Sequence, residues 1–146
     1  MHSSKNILLV EDDKDDQLFF SEALSEIKNV TLCHVANNGR EALDNLENSV
    51  ILPDIIFMDI NMPLMNGIEC LTEISKNSKT KNIPVVMLTS DTGKMQLIYE
   101  LGAKAFIKKP SSGKILREEI EQMINLDFIA DIQIANQTFQ FGYASA

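Results

Sequence analysis

Five short apolar runs, none strictly alternating with polar residues, recur along the chain with stretches of helical period between them. They are NILLV (6–10), VTLCHVA (30–36), DIIFMD (54–59), IPVVMLTS (83–90) and AFIKK (105–109). A strand reads as a continuous apolar run when both faces of its sheet are covered, as in parallel sheets. Between the runs, apolar residues fall three and four apart. Leu18, Phe19, Ala23, Leu24 and Ile27 mark a first helix, and Asn38-Gly39 opens a second carrying Ala42, Leu43 and Leu46. Asn66 is the expected N-cap of a third, with Ile68, Leu71 and Ile74 inward. A fourth carries Met95, Ile98 and Tyr99 and stops at Gly102, and a fifth beyond Pro110 carries Leu116, Ile120, Met123 and Ile124. Alternating β and α predict an α/β fold: a doubly wound, five-stranded parallel sheet with right-handed crossovers and helices on both faces.

That architecture fixes where to look for chemistry, because ligands in such sheets bind beyond the carboxyl ends of the strands. The first run ends in Glu11-Asp12-Asp13, the third in Asp59, the fourth in Thr89-Ser90 and the fifth in Lys109-Pro110. Carboxylates converging in one crevice repel one another by several kcal/mol at low effective dielectric. A hard divalent cation removes the conflict, and Mg²⁺ is bound through one or two carboxylates, waters and phosphate oxygens. With the ammonium of Lys109 and the hydroxyl of Thr89, the set suits a phosphoryl group, Asp59 being the nucleophile.

Those residues in that order resemble the receiver domain of two-component response regulators. The resemblance rests on the acidic pair Glu11-Asp12, the MDINMPLMNG loop around Asp59, Thr89-Ser90 and Lys109-Pro110, and covers about residues 5–126. It implies a CheY-like, flavodoxin-like sheet of order 2-1-3-4-5. It also implies a phosphoacceptor switch rather than an enzyme, with Asp59 accepting a phosphoryl group from a histidine kinase or phosphotransfer protein. By resemblance Asp12 and Asp59 ligate Mg²⁺, Glu11 acts through water, and Asn61 adds its backbone carbonyl. Lys109 pairs with the phosphoryl oxygens, Thr89 and Ser90 lie at the switch, and Phe106 rotates inward after Thr89. Pro63 and Gly67 hold the loop that presents Asn61. Asn61 and Asp91, two residues beyond Asp59 and Thr89, are small and polar and leave room for attacking water, so a short-lived phosphoryl group is expected.

Composition narrows the partners. A chain of 146 residues with net charge −8 suits one acidic domain and is a poor ligand for nucleic acid or anionic membrane. No apolar run approaches the roughly 20 residues of a membrane span, and no signal peptide opens the chain. A cytoplasmic protein is expected, in which the sequons at Asn29 and Asn136 carry no meaning. Cys33 and Cys70 are expected to be buried reduced thiols rather than zinc ligands. Asp13, Asp15 and Asp16 read as the solvated acidic start of the first helix, His34 as structural or edge-exposed, and Lys108 as a surface residue. The stretch DDKDDQLFFSE lacks the glycine of an EF-hand loop.

Three departures from the family pattern stand out. The span from Thr89 to Gly102 is about two residues short, so the fourth helix or the loop before it is trimmed. The switch position holds phenylalanine, which has no hydroxyl. After a receiver domain at 1–126 only residues 127–146 remain, with no output domain among them. There Ile132 and Ile134 alternate with Asp131 and Gln133, and Phe139 and Phe141 with Thr138 and Gln140, predicting a hairpin or extended arm. Its apolar residues have no slot in a sheet covered on both sides. It is read as packing on its own domain, as disordered, or as joining a second copy or a downstream protein. Two rival functions are a pseudo-receiver that is never phosphorylated and a haloacid-dehalogenase-type phosphatase. The latter wants a general acid at position 61, where asparagine cannot serve.

Overall fold

The computed structural model describes residues 4–90 and 92–126, so the readings of Asp91 and of the hairpin or arm at 127–146 lie outside the described residues. Strands β1 (Lys5–Val10), β2 (Val30–Ala36), β3 (Ile55–Asp59), β4 (Val85–Thr89) and β5 (Ala105–Lys108) alternate with five helices. These are α1 (Lys14–Ser25), α2 (Gly39–Asn48), α3 (Gly67–Lys76), α4 (Met95–Glu100) and α5 (Gly113–Asn125). All strand pairs are parallel and the sheet order is β2-β1-β3-β4-β5.

The continuous apolar runs split by parity into two cores. Ile7, Leu9, Ile55, Phe57, Val86, Leu88 and Ile107 pack with Phe20, Ala23 and Leu24 of α1 and Leu116, Ile120 and Met123 of α5. Leu8, Val10, Ile56, Met58, Met87 and Phe106 pack with Ala42 and Leu46 of α2, Leu71 and Ile74 of α3, and Ile98 of α4. Full burial of each large side chain contributes about 1.5–3 kcal/mol, so neither face of the sheet can be uncovered. The helices begin where capping side chains stop the preceding loop. Asp13 accepts from the backbone N–H of Asp16 (2.9 Å), Asn38 from Glu41 (2.9 Å), and Asn66 forms a capping box with Glu69. Each cap contributes about 1 kcal/mol and starts a helix just beyond a strand end.

Four expectations need correction. In α1 the inward stripe is Phe20, Ala23 and Leu24, continued by Ile27 just past the helix end, while Leu18 is exposed. Two residues of helix turn the side chain by about 200°, which sets Leu18 opposite Phe20, whose ring lies 5.2 Å from that of Phe57. Strand β2 is an edge strand with three of its seven residues exposed rather than covered on both faces. Cys33 is therefore exposed, its Sγ donating to the Ile7 carbonyl at 3.1 Å, whereas Cys70 is buried and burial pushes its thiol up to about 12. Tyr99 faces outward, because α4 is only six residues long and presents to the core only Ile98, fully buried, and Met95, partly buried. One 3-10 turn at Thr92–Lys94 precedes α4, and Gly102, with φ +112°, ends the segment as expected. Among the described residues no helix is long and apolar enough to cross a membrane.

Candidate phosphoryl site at the strand ends

The alternation that builds the cores also sorts the strand-end residues. Glu11, Asp59 and Lys109 are in phase with Leu9, Phe57 and Ile107, on the side of α1 and α5. Thr89 is in phase with Met87, on the side of Phe106. The acidic cluster and its lysine thus lie on one side of the sheet, the hydroxyl and the aromatic ring on the other.

Lys109 is the centre of the cluster. Its Nζ lies 2.8 Å from Glu11 Oε1, 3.1 Å from Asp16 Oδ2 and 3.4 Å from Asp59 Oδ1. Asp16 is the residue that sequence reading missed, having been assigned to the solvated helix start. Its signal was its place in the first turn of a helix that begins directly after the acidic pair. Asp59 Oδ1 also accepts the Ile60 N–H at 2.8 Å, and Glu11 Oε2 that of Asp13 at 3.2 Å. Ligand oxygens of Glu11, Asp12 and Asp59 lie within 4.8 Å of one another, Asp12 being the one nearest solvent.

Burial dominates the protonation of this group. It raises Glu11 to about 7, with the Asp59 charge pushing the same way and the Lys109 hydrogen bond opposing. Burial likewise lifts Asp59 above the usual carboxylate range against the pull of Lys109 and the Ile60 N–H. Burial lowers Lys109, but its hydrogen bond to Glu11 and the charge of Asp59 outweigh that and hold it above the ordinary lysine value. One lysine does not balance two buried carboxylates and a third beside them. Three oxygen donors within reach of one ion, still short of positive charge, fit a hard cation such as Mg²⁺.

The loop after Asp59 is fixed by close backbone contacts. The Gly67 N–H donates to the Ile60 carbonyl (2.8 Å), the Gly39 N–H to Met65 (2.9 Å) and the Met65 N–H to Pro63 (2.7 Å), with Leu64 at φ +65°. A Cβ on Gly67 would collide with the Asp59 carbonyl oxygen and lie 2.9 Å from the Ile60 Cα. Gly67→Ala must therefore push the backbone at Asp59 aside. It is expected to cost about 3 kcal/mol, read as a lower urea midpoint with an unchanged m-value. A midpoint equal to that of the parent would mean that the loop is not held there.

Thr89 is buried at the end of β4 and its carbonyl accepts the Lys109 N–H at 2.9 Å. Ser90 beside it is exposed, as is Asn61, while Phe106 is fully buried. His34 is exposed on the edge strand, away from the cluster.

Comparison with known proteins gives a consistent result. The family model described as "Response regulator receiver domain" matches residues 7–121. The sensor histidine kinase CheAY of Helicobacter pylori is 33% identical over 123 residues, covering 83% of this chain and 15% of that protein. Two further curated relatives are covered over 34% and 50% of their length, so the chain spans half or less of these longer proteins. The phosphorylated cyanobacterial phytochrome response regulator RcpA superposes with a TM-score of 0.73 at 29% identity, over 83% of this chain and 91% of that one. The CheX–CheY–BeF3–Mg²⁺ complex of Borrelia burgdorferi gives a TM-score of 0.73 at 27% identity, over 84% and 87%.

Proposed function

The chain belongs to the response regulator receiver domain family, and from that premise we propose that it is a phosphorylation-controlled signalling switch with Asp59 as its phosphoacceptor. The observation that carries this is the convergence of the Glu11, Asp12 and Asp59 oxygens, with the Lys109 ammonium on Glu11 and Asp59. A carboxylate oxygen of Asp59 attacks the phosphorus of a phosphohistidine donor. The O–P bond forms as the P–N bond breaks, and its electron pair returns to the imidazole nitrogen. Lys109, already within 3.4 Å of Asp59, follows the charge onto the phosphoryl oxygens.

Glu11, Asp12, Asp59 and the backbone carbonyl of Asn61 would hold Mg²⁺, with Glu11 acting through water. When bound, Mg²⁺ supplies a Lewis acid that neutralises the phosphoryl oxygens. The residues themselves do the positioning: the Ile60 N–H fixes one Asp59 oxygen, and the capped starts of α1 and α3 hold the acidic pair and the Asn61 loop. A phosphoryl group adds about −1.5 to −2 charges and three acceptors. Thr89, with Ser90 beside it, hydrogen-bonds one of those oxygens, and Phe106 repacks on the same side of β4. The altered surface engages a downstream protein in the cytoplasm, the phosphoryl group having come from a histidine kinase or phosphotransfer protein. The chain catalyses only its own phosphorylation and dephosphorylation.

Incubation with acetyl phosphate and Mg²⁺ tests this reading against its rivals. A base-labile acyl phosphate is expected. Steady turnover of phosphomonoesters would favour the phosphatase, and no reaction the pseudo-receiver.

Glu11 gives the site a pH signature. Its folded value of about 7 lies above the ordinary one, so near neutrality Mg²⁺ must displace a proton from the cluster. Affinity is therefore expected to fall about tenfold between pH 8 and pH 6. Glu11→Gln should bind more weakly and lose that slope, as titration calorimetry in two buffers would show. A smaller effect is expected at Asn61, where a bulky apolar replacement shields the phosphoryl group from water. Asn61→Leu should lengthen the acyl-phosphate half-life, and an unchanged decay rate would remove Asn61 from the water path.

A further inference from the structure

At the end of the sheet opposite Asp59, a groove of about 570 Å³ is lined by Leu52, Pro53, Ile83, Pro84 and Leu126. Beside it the loop from α2 into β3 carries Val50 and Ile51, 98% and 75% exposed, so four apolar residues in a row lead into Asp54. Val50 and Ile51 are exposed, Leu52 is half-buried and Pro53 is buried, and exposed apolar side chains next to an apolar groove mark a surface that something covers. We propose that the cover is the chain's own segment 127–146, laid across this groove within the same molecule.

Three observations choose that occupant. The first is where the chain leaves the described residues. Leu126 is part of the groove wall, and the Lys5 ammonium ties the end of α5 to β1 by donating to the Ile124 carbonyl at 2.9 Å. The segment therefore starts at the groove. The second is reach. The groove spans the starts of β1, β3 and β4, two strand spacings or about 10 Å. An extended chain advances about 3.3 Å per residue, so residues 127–134 cover about 26 Å and bring Ile132 and Ile134 over the groove with slack. The third is chemistry. From residue 131 the sequence alternates, placing Ile132 and Ile134 on one face, and the segment carries Asp127 and Asp131 but no lysine or arginine. Lys5 and Lys79 line the groove against one acid, Asp54, so its lining is net basic. Both faces of the sheet are already filled, so these isoleucines have no place in either core.

The test uses the full-length chain labelled at its isoleucine and leucine methyl groups. Nuclear Overhauser contacts are expected from Ile132 or Ile134 to Leu52 or Ile83, with a monomer mass by light scattering. In the Ile132→Asp/Ile134→Asp chain those contacts are lost, and the methyls of Ile51 and Ile83 relax faster in a soluble paramagnetic chelate. Absence of any such contact in the unsubstituted chain overturns the proposal. Contacts seen only between differently labelled chains, with a dimer mass, overturn the assignment to the same molecule and give the groove to a second copy.

Discussion

Asp59→Asn is expected to abolish phosphorylation while leaving the fold intact and, in Mg²⁺-free buffer, more stable. The amide has the shape of the carboxylate but neither its charge nor its nucleophilic oxygen. Two carboxylates no more than 4.8 Å apart repel by at least about 3 kcal/mol at an effective dielectric near 20, and Lys109 offsets most of this. Removing one member should leave a net gain of about 1–2 kcal/mol at neutral pH. The sign follows from protonation. Asp59 is raised in the fold, by burial first, so its ionised form opposes folding above its unfolded pKa. The advantage of asparagine must therefore fade as the pH falls toward about 4, where the parent carboxyl takes up its proton in both states. Urea midpoints at neutral and acid pH measure it. A variant less stable than the parent at pH 7.5 would mean that the Asp59–Lys109 pair is a net stabilising contact.

Lys109→Met should have the opposite effect and a larger one. Methionine keeps the stem and its packing but removes the ammonium that touches Glu11, Asp16 and Asp59. Two buried carboxylates then face each other with no cation between them, and removing one partner of a buried pair costs about 3–5 kcal/mol. The cluster account adds two conditions. Millimolar Mg²⁺ should restore much of the loss, because a second cation can occupy the same cluster. Acidification below the raised value of Glu11 should do likewise, because one carboxylate is then neutral. A loss of stability insensitive to both Mg²⁺ and pH would trace the effect to packing of the lysine stem instead.

What could be read in advance follows from how local each determinant is. The sheet was legible because continuous apolar runs need two covered faces, and the strand ends were legible because a parallel sheet gathers its carboxyl ends on one edge. Glu11, Asp59 and Lys109 are 48 and 50 residues apart in sequence, yet strand order alone brings them together. The misreadings concern residues whose fate depends on a neighbour. Leu18 and Phe20 both fit an apolar helix, and only the facing ring of Phe57 selects Phe20. Cys33 sits in an apolar run, but its strand is at the edge of the sheet. Asp16 resembled any acidic helix start until Lys109 was placed 3.1 Å away. Gly39 gave no sign that its N–H holds the loop after Asp59, because its partner Met65 lies on a different element.

The central claim is that Asp59 carries the phosphoryl group, and borohydride trapping tests it most directly. The full-length chain is treated with acetyl phosphate and Mg²⁺, reduced with borohydride, digested and sequenced by mass spectrometry. An acyl phosphate on Asp59 is converted to homoserine at position 59, only when both phosphodonor and Mg²⁺ are present. Homoserine at another acidic residue with Asp59 unchanged, or no homoserine at all, would contradict the account.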